Sequence, residues 1–525
     1  MKEPIVRNYF ILLTFFLALV LSSLGIAQGQ THSFLNDQDI PQGCTSIMVG
    51  RLASTDGSTI TSHTCDGGYR PWVNIKPAAT YREGTTNTIY SGLMHTAFAE
   101  DMTRVTVKGE IPQVPQTYAF VNVAYPCMNE HQLGIGETTI GGRRELRSRE
   151  GIFQIEELER LALERTTNCR DAIRLMGELA KKYGYCDGGE CLTLIDPKEV
   201  WHFEIMGPGS GKIGAVWAAA RIPDDHIGVS ANIPRIAELD LDNPDYFMAS
   251  ENIHSLTQEM GWWDPDSGEV FKFWKAYSGR TPFSIREYWI LSTMAPSLNL
   301  QYDADELPFT VKPEKKVSAR DVMEYLRCTY AGSEYDLTQN LPRNSRSNIA
   351  PNPWMSSDMR NMANGIQPGI IPSFRAIAST GCAYSTVIQA RDWLPDQVGG
   401  ITWLAFDNPG LTPRVPIYAG VKELPADFQI GDKNKFRRDS AGWAFRRVNK
   451  LSNINWSASG KMITDAVQKY EDKAFAEMAA IEKQALVLYQ QAPQKAEEFL
   501  TQYTNDFARS LVQYWWELGD RILER

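Results

Sequence analysis

Cys44 most constrains what this chain can become. It stands a short way past an N-terminal stretch with the features of an export signal, and Gly43-Cys44-Thr45 opens a run that continues to Asp56-Gly57-Ser58. A cysteine in that place can become the first residue of the mature chain. It then carries a thiol and a free α-amine, so nucleophile and base sit side by side without a histidine. A thiol titrates near ~8.5 and an α-amine near ~8, so both are usable around neutral pH.

The export signal is read from Lys2 and Arg7, the apolar run over 11–21 and the small residues Gly25-Ile26-Ala27. The run is short for a membrane span, and no second long apolar run follows. Residues 1–27 are expected to be a signal peptide and 28–43 a propeptide. Residues 44–525 are expected to form the mature domain, with a helical extension from about 461. The mature chain is expected to be secreted or periplasmic. A lipidated cysteine would directly follow the apolar segment, but here a polar stretch with Pro41 intervenes.

Charged residues make up 22% and hydrophobic residues 43%, as in ordinary globular chains. The net charge of -10 argues against a nucleic-acid surface. Eight cysteines in an exported chain invite disulfides. Setting Cys44 aside leaves an odd number, so at least one is unpaired. Cys186 and Cys191 flank Asp-Gly-Gly-Glu and are candidates to close a small loop; Cys65 reads as structural. The scattered histidines form no zinc spacing, so no metal site is expected.

The periodicity predicts mixed α and β structure. Short strands are expected over 45–49 and 60–62 around the Asp56-Gly57 turn, then over 119–124 and 133–139. Helices are expected over 155–164 and 172–183, the second stopped by Gly184. Strands return over 191–195, 200–205, 215–220 and 227–230, and again over 385–389 and 401–406. The end is helical: Met478, Ile481, Ala485 and Leu488 make one stripe, and Leu500, Phe507, Leu511 and Leu518 another beyond Pro493. Residues 340–357 read as a long irregular loop. Gly209-Ser210-Gly211-Lys212-Ile213-Gly214 matches a dinucleotide fingerprint in spelling, but no helix follows it, so it reads as a connection between strands.

Several blocks together resemble one family. Cys44-Thr45, Val49-Gly50, Ala53-Ser54 and Asp56-Gly57-Ser58 are similar to the start of the cysteine dipeptidases of the N-terminal-nucleophile (Ntn) hydrolase superfamily, the dipeptidase A type related to the secernins. The likeness continues through Asn129-Glu130, the block from Asp196 to Ile205 with Trp201-His202-Phe203-Glu204, Val216-Trp217 through Asn232, and Tyr335-Asp336-Leu337-Thr338. The resemblance implies an α+β fold, the Ntn α-β-β-α sandwich with additional C-terminal helices.

It also implies roles. Cys44 matches the nucleophile and α-amine base, exposed by cleavage after Gly43. Asp66 matches the carboxylate that orients the amine, and Asn232 an oxyanion donor. His63 stands where relatives usually carry an arginine near that aspartate. Thr139 lies where relatives supply a second oxyanion group. Glu137, acidic and in the segment expected near the nucleophile, is the candidate for a substrate ammonium. Dipeptides are the expected substrates, with no cofactor, no nucleic acid and no membrane span in the mature chain; a homo-oligomer is open. An Ntn amidase cleaving a non-peptide acyl amide is the nearest rival. A non-enzymatic exported protein, with Cys44 lipidated or disulfide-bonded, is the rival of another class.

Overall fold

The Asp56-Gly57 turn is where the fold begins to take shape. Gly57 adopts φ 89, a left-handed conformation that glycine reaches without strain. The Ser58 N–H and hydroxyl both donate to Asp56 Oδ1, at 3.1 and 2.6 Å. The turn joins the strand Ser46–Val49 to the strand Thr59–Asp66. These are the first two strands of a computed structural model that describes residues 43–279, 282–343 and 351–525. The expected signal peptide and residues 28–42 of the expected propeptide lie outside the described residues, as do residues 344–350 of the expected loop.

Two antiparallel sheets form the centre. In the first, seven strands run in the order Thr310–Val311, Ile227–Ser230, Ser46–Val49, Thr59–Asp66, Cys382–Ala390, Ile401–Phe406 and Val415–Tyr418. Ser46 pairs with Ser230, and His63 pairs with Thr386. In the second, eight strands run in the order Phe247–Ala249, Val216–Arg221, Val200–Met206, Glu190–Ile195, Gly134–Thr139, Met128–Asn129, Phe120–Asn122 and Asn74–Lys76. Glu190–Ile195 and Val200–Met206 are buried along their whole length, polar Glu190, Thr193, His202 and Glu204 included.

The sheets meet through hydroxyls. Ser46 Oγ and Thr61 Oγ1 each lie 2.6 Å from Thr193 Oγ1, and Thr138 Oγ1 lies 2.5 Å from Ser230 Oγ. Any Cβ at Gly136 would overlap the Ser62 carbonyl, so only glycine permits this approach. Helices Ile155–Arg165 and Cys169–Tyr183 pack on strands of the eight-stranded sheet and its neighbours. Ala441–Ser452 and Pro493–Leu523 pack on the seven-stranded sheet, and Trp456–Gln491 packs against Pro493–Leu523. The fold is mixed α and β.

Most sequence-read elements fall in place with shifted ends. The second helix begins at Cys169 because the Asn168 side chain caps it by accepting from the Asp171 N–H, and Gly184 ends it at φ 83. The helical end begins earlier than residue 461, with Ala441–Ser452 and then Trp456–Gln491. The glycine-rich segment after Met206 joins two strands, as expected. The loop expected over 340–357 ends at the helix Ser357–Ile366. Of the first C-terminal stripe only Ala485 is fully buried. The Cys186–Cys191 loop is not closed: all eight cysteines are unbonded. Cys186 Sγ turns to the Phe153 carbonyl at 3.3 Å. Cys191, fixed by its strand, faces His202 Nε2 at 3.3 Å.

Candidate active site

Residues from distant parts of the chain meet at the N-terminal end of the first strand. Thr45 N–H donates to Thr64 Oγ1 at 2.8 Å, and Thr64 N–H returns a bond to the Thr45 carbonyl. These bonds fix Cys44 beside the end of the Thr59–Asp66 strand, where Cys65 and Asp66 sit. Cys44 is buried. Burial is the main cause that pushes its thiol pKa well up; Glu137, Cys65 and Asp66 add to it, while the Asp66 backbone N–H opposes. The thiol is therefore held in its neutral form.

Two arginines converge on the bond before Cys44. The Gly43 carbonyl accepts from Arg286 Nη1 at 2.9 Å and from Arg375 Nη1 at 2.7 Å. Arg286 Nη1 also reaches the Cys44 carbonyl at 2.7 Å and Thr45 Oγ1 at 3.1 Å. Its Nη2 donates to the Ala231 carbonyl and to Asn232 Oδ1, at 2.8 and 2.9 Å. Arg375 Nη2 donates to Asp66 Oδ2 at 2.7 Å. The other Asp66 oxygen, Oδ1, is buried and makes no hydrogen bond. One guanidinium thus links the Gly43 carbonyl to the aspartate, and leaves the aspartate an open lone-pair site.

Asn232 is held in a strained conformation, φ 68, and is buried. Its Nδ2 donates to the Thr139 carbonyl at 2.7 Å. Because Arg286 donates to Oδ1, the amide cannot be flipped, and an –NH₂ has a second hydrogen to give. Gly43 lies against that group: a Cβ there would fall 2.9 Å from Asn232 Nδ2. Glycine is what fits before Cys44.

Glu137 and His63 complete the corner. Glu137 Oε2 lies 3.4 Å from His63 Nε2, both side chains are fully enclosed, and neither atom makes a hydrogen bond. Thr139 Oγ1 donates to Glu137 Oε1 at 3.2 Å. Tyr125 and Tyr384 meet the His63 ring edge-on, each with centroids 5.6 Å away. Behind Glu137 lie Glu190, Glu156 and Glu159. Burial is the first cause raising each of their pKa values, and Glu137 adds to all three.

All six residues singled out in the sequence therefore gather in one place. His63 faces Glu137 rather than Asp66, and the arginine beside Asp66 is Arg375, from a remote segment. Sequence reasoning missed Arg286 and Arg375. Faint signals existed. Arg286 sits in the first turn of Ile285–Met294, where the helix dipole favours acids over cations. Arg375 is the lone charge in Phe374-Arg375-Ala376-Ile377-Ala378.

A buried cysteine thus stands beside a paired aspartate and a fixed asparagine, with two arginines on the preceding carbonyl. The profile of peptidase family C69 matches residues 43–471, so the match opens one residue before Cys44. The chain belongs to peptidase family C69. It is 24% identical over 464 residues to a probable dipeptidase of Latilactobacillus sakei, covering 84% of this chain and 87% of that protein. It is 26% identical over 412 residues to a probable dipeptidase of Salmonella dublin, covering 74% and 83%. To dipeptidase A of Lactobacillus helveticus it is 22% identical over 453 residues, covering 84% and 87%. No described helix is long and apolar enough to cross a membrane.

Proposed function

We infer that this chain is an exported dipeptidase of the Ntn-hydrolase type, built as an α-β-β-α sandwich, whose nucleophile is Cys44 once the chain is cut after Gly43. The observation that carries the reading is the carbonyl of Gly43, which receives an N–H from each of two buried guanidinium groups. Charge-assisted donors on a carbonyl oxygen stabilise the oxyanion that forms when that carbonyl is attacked. The neighbouring Cys44 Sγ attacks the Gly43 carbonyl carbon, the C–N bond breaks as the C–S bond forms, and the Sγ–H proton passes to the Cys44 nitrogen, which leaves as an amine. Water then hydrolyses the thioester and leaves Gly43 as a carboxylate.

Cleavage supplies what the uncut site lacks, a base. The new α-amine takes the proton of a thiol that burial holds neutral, and delivers it to the leaving amine of the substrate. Asp66 Oδ1, with no hydrogen bond in the uncut chain, accepts from the ammonium form. Asn232 Nδ2 donates to the oxyanion. Thr139 acts through its carbonyl as a positioning residue for Asn232. Arg375 Nη1 loses its Gly43 acceptor and becomes a donor for substrate. Glu137 Oε2 receives the substrate ammonium, which a closed apolar pocket would otherwise leave unpaired at high cost. No step calls on a metal.

The test is a panel of free dipeptides, N-acetylated dipeptides, longer peptides and simple acyl amides, assayed with reducing agent. Free dipeptides are expected to be hydrolysed and acetylated ones to be poor substrates. Preference for the acyl amides would replace the dipeptidase reading with that of an amidase.

A further inference from the structure

Cys44, His63 and Glu137 each bring one metal-ligating atom to a single point, with all three atoms within 4.8 Å of one another. The three residues are far apart in sequence and show no ligand spacing. The geometry points to a second use of this corner: a thiophilic divalent cation, Zn²⁺ in the first place, binds across Cys44 Sγ, His63 Nε2 and Glu137 Oε2 and shuts the nucleophile off.

Three observations carry this beyond mere proximity. First, the donor set is thiolate, imidazole and carboxylate, the ligands Zn²⁺ takes. Second, His63 Nε2 and Glu137 Oε2 are buried, aimed at each other, and without a hydrogen bond. Buried polar atoms are normally satisfied, and two facing ones that are not leave room for a shared partner. Third, their separation of 3.4 Å fits. With bonds of about 2.0–2.1 Å to nitrogen and oxygen, the edge of a zinc tetrahedron is about 3.4 Å. The sulfur–nitrogen edge of such a tetrahedron, about 3.6 Å, lies within the 4.8 Å that bounds the three atoms.

On binding, the Sγ–H proton leaves to solvent and the sulfur coordinates as thiolate. After cleavage the Cys44 α-amine, on the same residue, supplies a fourth donor and closes a five-membered chelate. The same cation would then occupy nucleophile, base and the ammonium-binding carboxylate at once, so inhibition is competitive with dipeptide. The competition rests on the proposed activity; the binding does not.

The test uses the mature chain with Zn²⁺ in metal-buffered solutions, and Co²⁺ as a spectroscopic stand-in. Micromolar free Zn²⁺ is expected to lower hydrolysis at least tenfold at low substrate, less at high substrate, with full recovery on chelation. Co²⁺ is expected to give a near-ultraviolet thiolate-to-cobalt absorption at one ion per chain. His63→Leu and Glu137→Gln, checked for folding by circular dichroism, should each weaken Co²⁺ binding at least tenfold. Unchanged Co²⁺ affinity in both folded variants would overturn the site. So would a wild-type cobalt spectrum without the thiolate band, a result that depends on no variant. Hydrolysis indifferent to Zn²⁺ removes the inhibitory site and leaves the dipeptidase reading standing. A cobalt band in a protein that hydrolyses no dipeptide supports the metal site and removes the dipeptidase reading.

Discussion

Among the described residues, the buried charges around Glu471 and those around Cys44 are built on opposite rules. Around Glu471, in the long helix Trp456–Gln491, both carboxylate oxygens are met: Arg327 donates from Nη1 and Nη2 at 3.0 and 2.8 Å, and Arg414 Nη1 lies 3.5 Å away. Burial alone would raise the Glu471 pKa, but Arg327 and Arg414 outweigh it and hold the carboxyl below its usual range. That cluster ties the end of the helix Ala319–Leu326 and the approach to the strand Val415–Tyr418 to the long helix. Around Cys44, by contrast, Asp66 Oδ1, His63 Nε2 and Glu137 Oε2 make no hydrogen bond, and burial is the first cause raising the pKa of Glu190 and Glu159, the acids behind Glu137. At Glu471 both carboxylate oxygens are paired, whereas Asp66 and Glu137 each keep one oxygen without a hydrogen bond.

The contrast can be broken most sharply at Cys44. Cys44→Ala is expected to lower dipeptide hydrolysis by at least about 10³-fold while leaving thermal stability nearly unchanged, measured by steady-state kinetics beside a melting curve. A large fall in melting temperature would place Cys44 with the structural cluster. Glu471→Gln should do the reverse. It leaves buried Arg414 without its carboxylate partner and Arg327 with Glu324 alone, and should cost about 3 kcal/mol at neutral pH. The sign with pH follows from the depressed pKa. The stability Glu471 contributes is present above the ordinary carboxylate range and is lost as pH falls through its lower folded value. Wild type and variant should therefore converge in acid denaturation curves.

Asn232→Gly tests the asparagine without adding strain, since glycine accepts φ 68. Turnover is expected to fall about 10²-fold with KM little changed, because an oxyanion donor acts chiefly in the transition state. A change confined to KM would assign the residue to ground-state binding. Gly43→Ala presses a methyl against Asn232 Nδ2 in the uncut chain only. Overpacking of about 1–3 kcal/mol should slow cleavage roughly tenfold or more and leave the mature enzyme unaffected, followed by gel mobility over time.

The smallest effect is the mirror image of Glu471. Glu159 is buried, neither of its oxygens makes a hydrogen bond, and burial followed by Glu137 and Glu156 raises its pKa. Its contribution to stability is present below the unfolded carboxylate range and lost as pH rises through the folded value. Glu159→Gln should gain about 1 kcal/mol over wild type at mildly alkaline pH and nothing in acid, read from paired melting curves. A loss at alkaline pH would mean that the acid cluster is paired after all.

The elements that repeat locally were legible in the sequence. Asp56-Gly57 announced its turn, Gly184 its helix stop and Pro493 the break between the last two helices, because each signal acts within a few residues. Cys44, Asp66, Asn232, His63, Thr139 and Glu137 were legible as a set through the blocks around them. Their arrangement was not. That Arg375 rather than His63 stands by Asp66 depends on a segment brought in from more than 300 positions away. That His63 faces Glu137 depends on how two sheets stack, which no periodicity encodes. Cys186 and Cys191 misled for the same reason: short spacing suggested a loop, while the strand Glu190–Ile195 aims Cys191 elsewhere.

Dipeptide hydrolysis is expected to begin only when Cys44 becomes an N-terminus. The most direct measurement is the mass of the N-terminal peptide of the protein purified in active form, with hydrolysis assayed on the same sample. The peptide is expected to begin at unmodified Cys44, with activity in proportion to its share of the chains. Full activity in chains that still carry Gly43, or an acylated Cys44 in active protein, would contradict it.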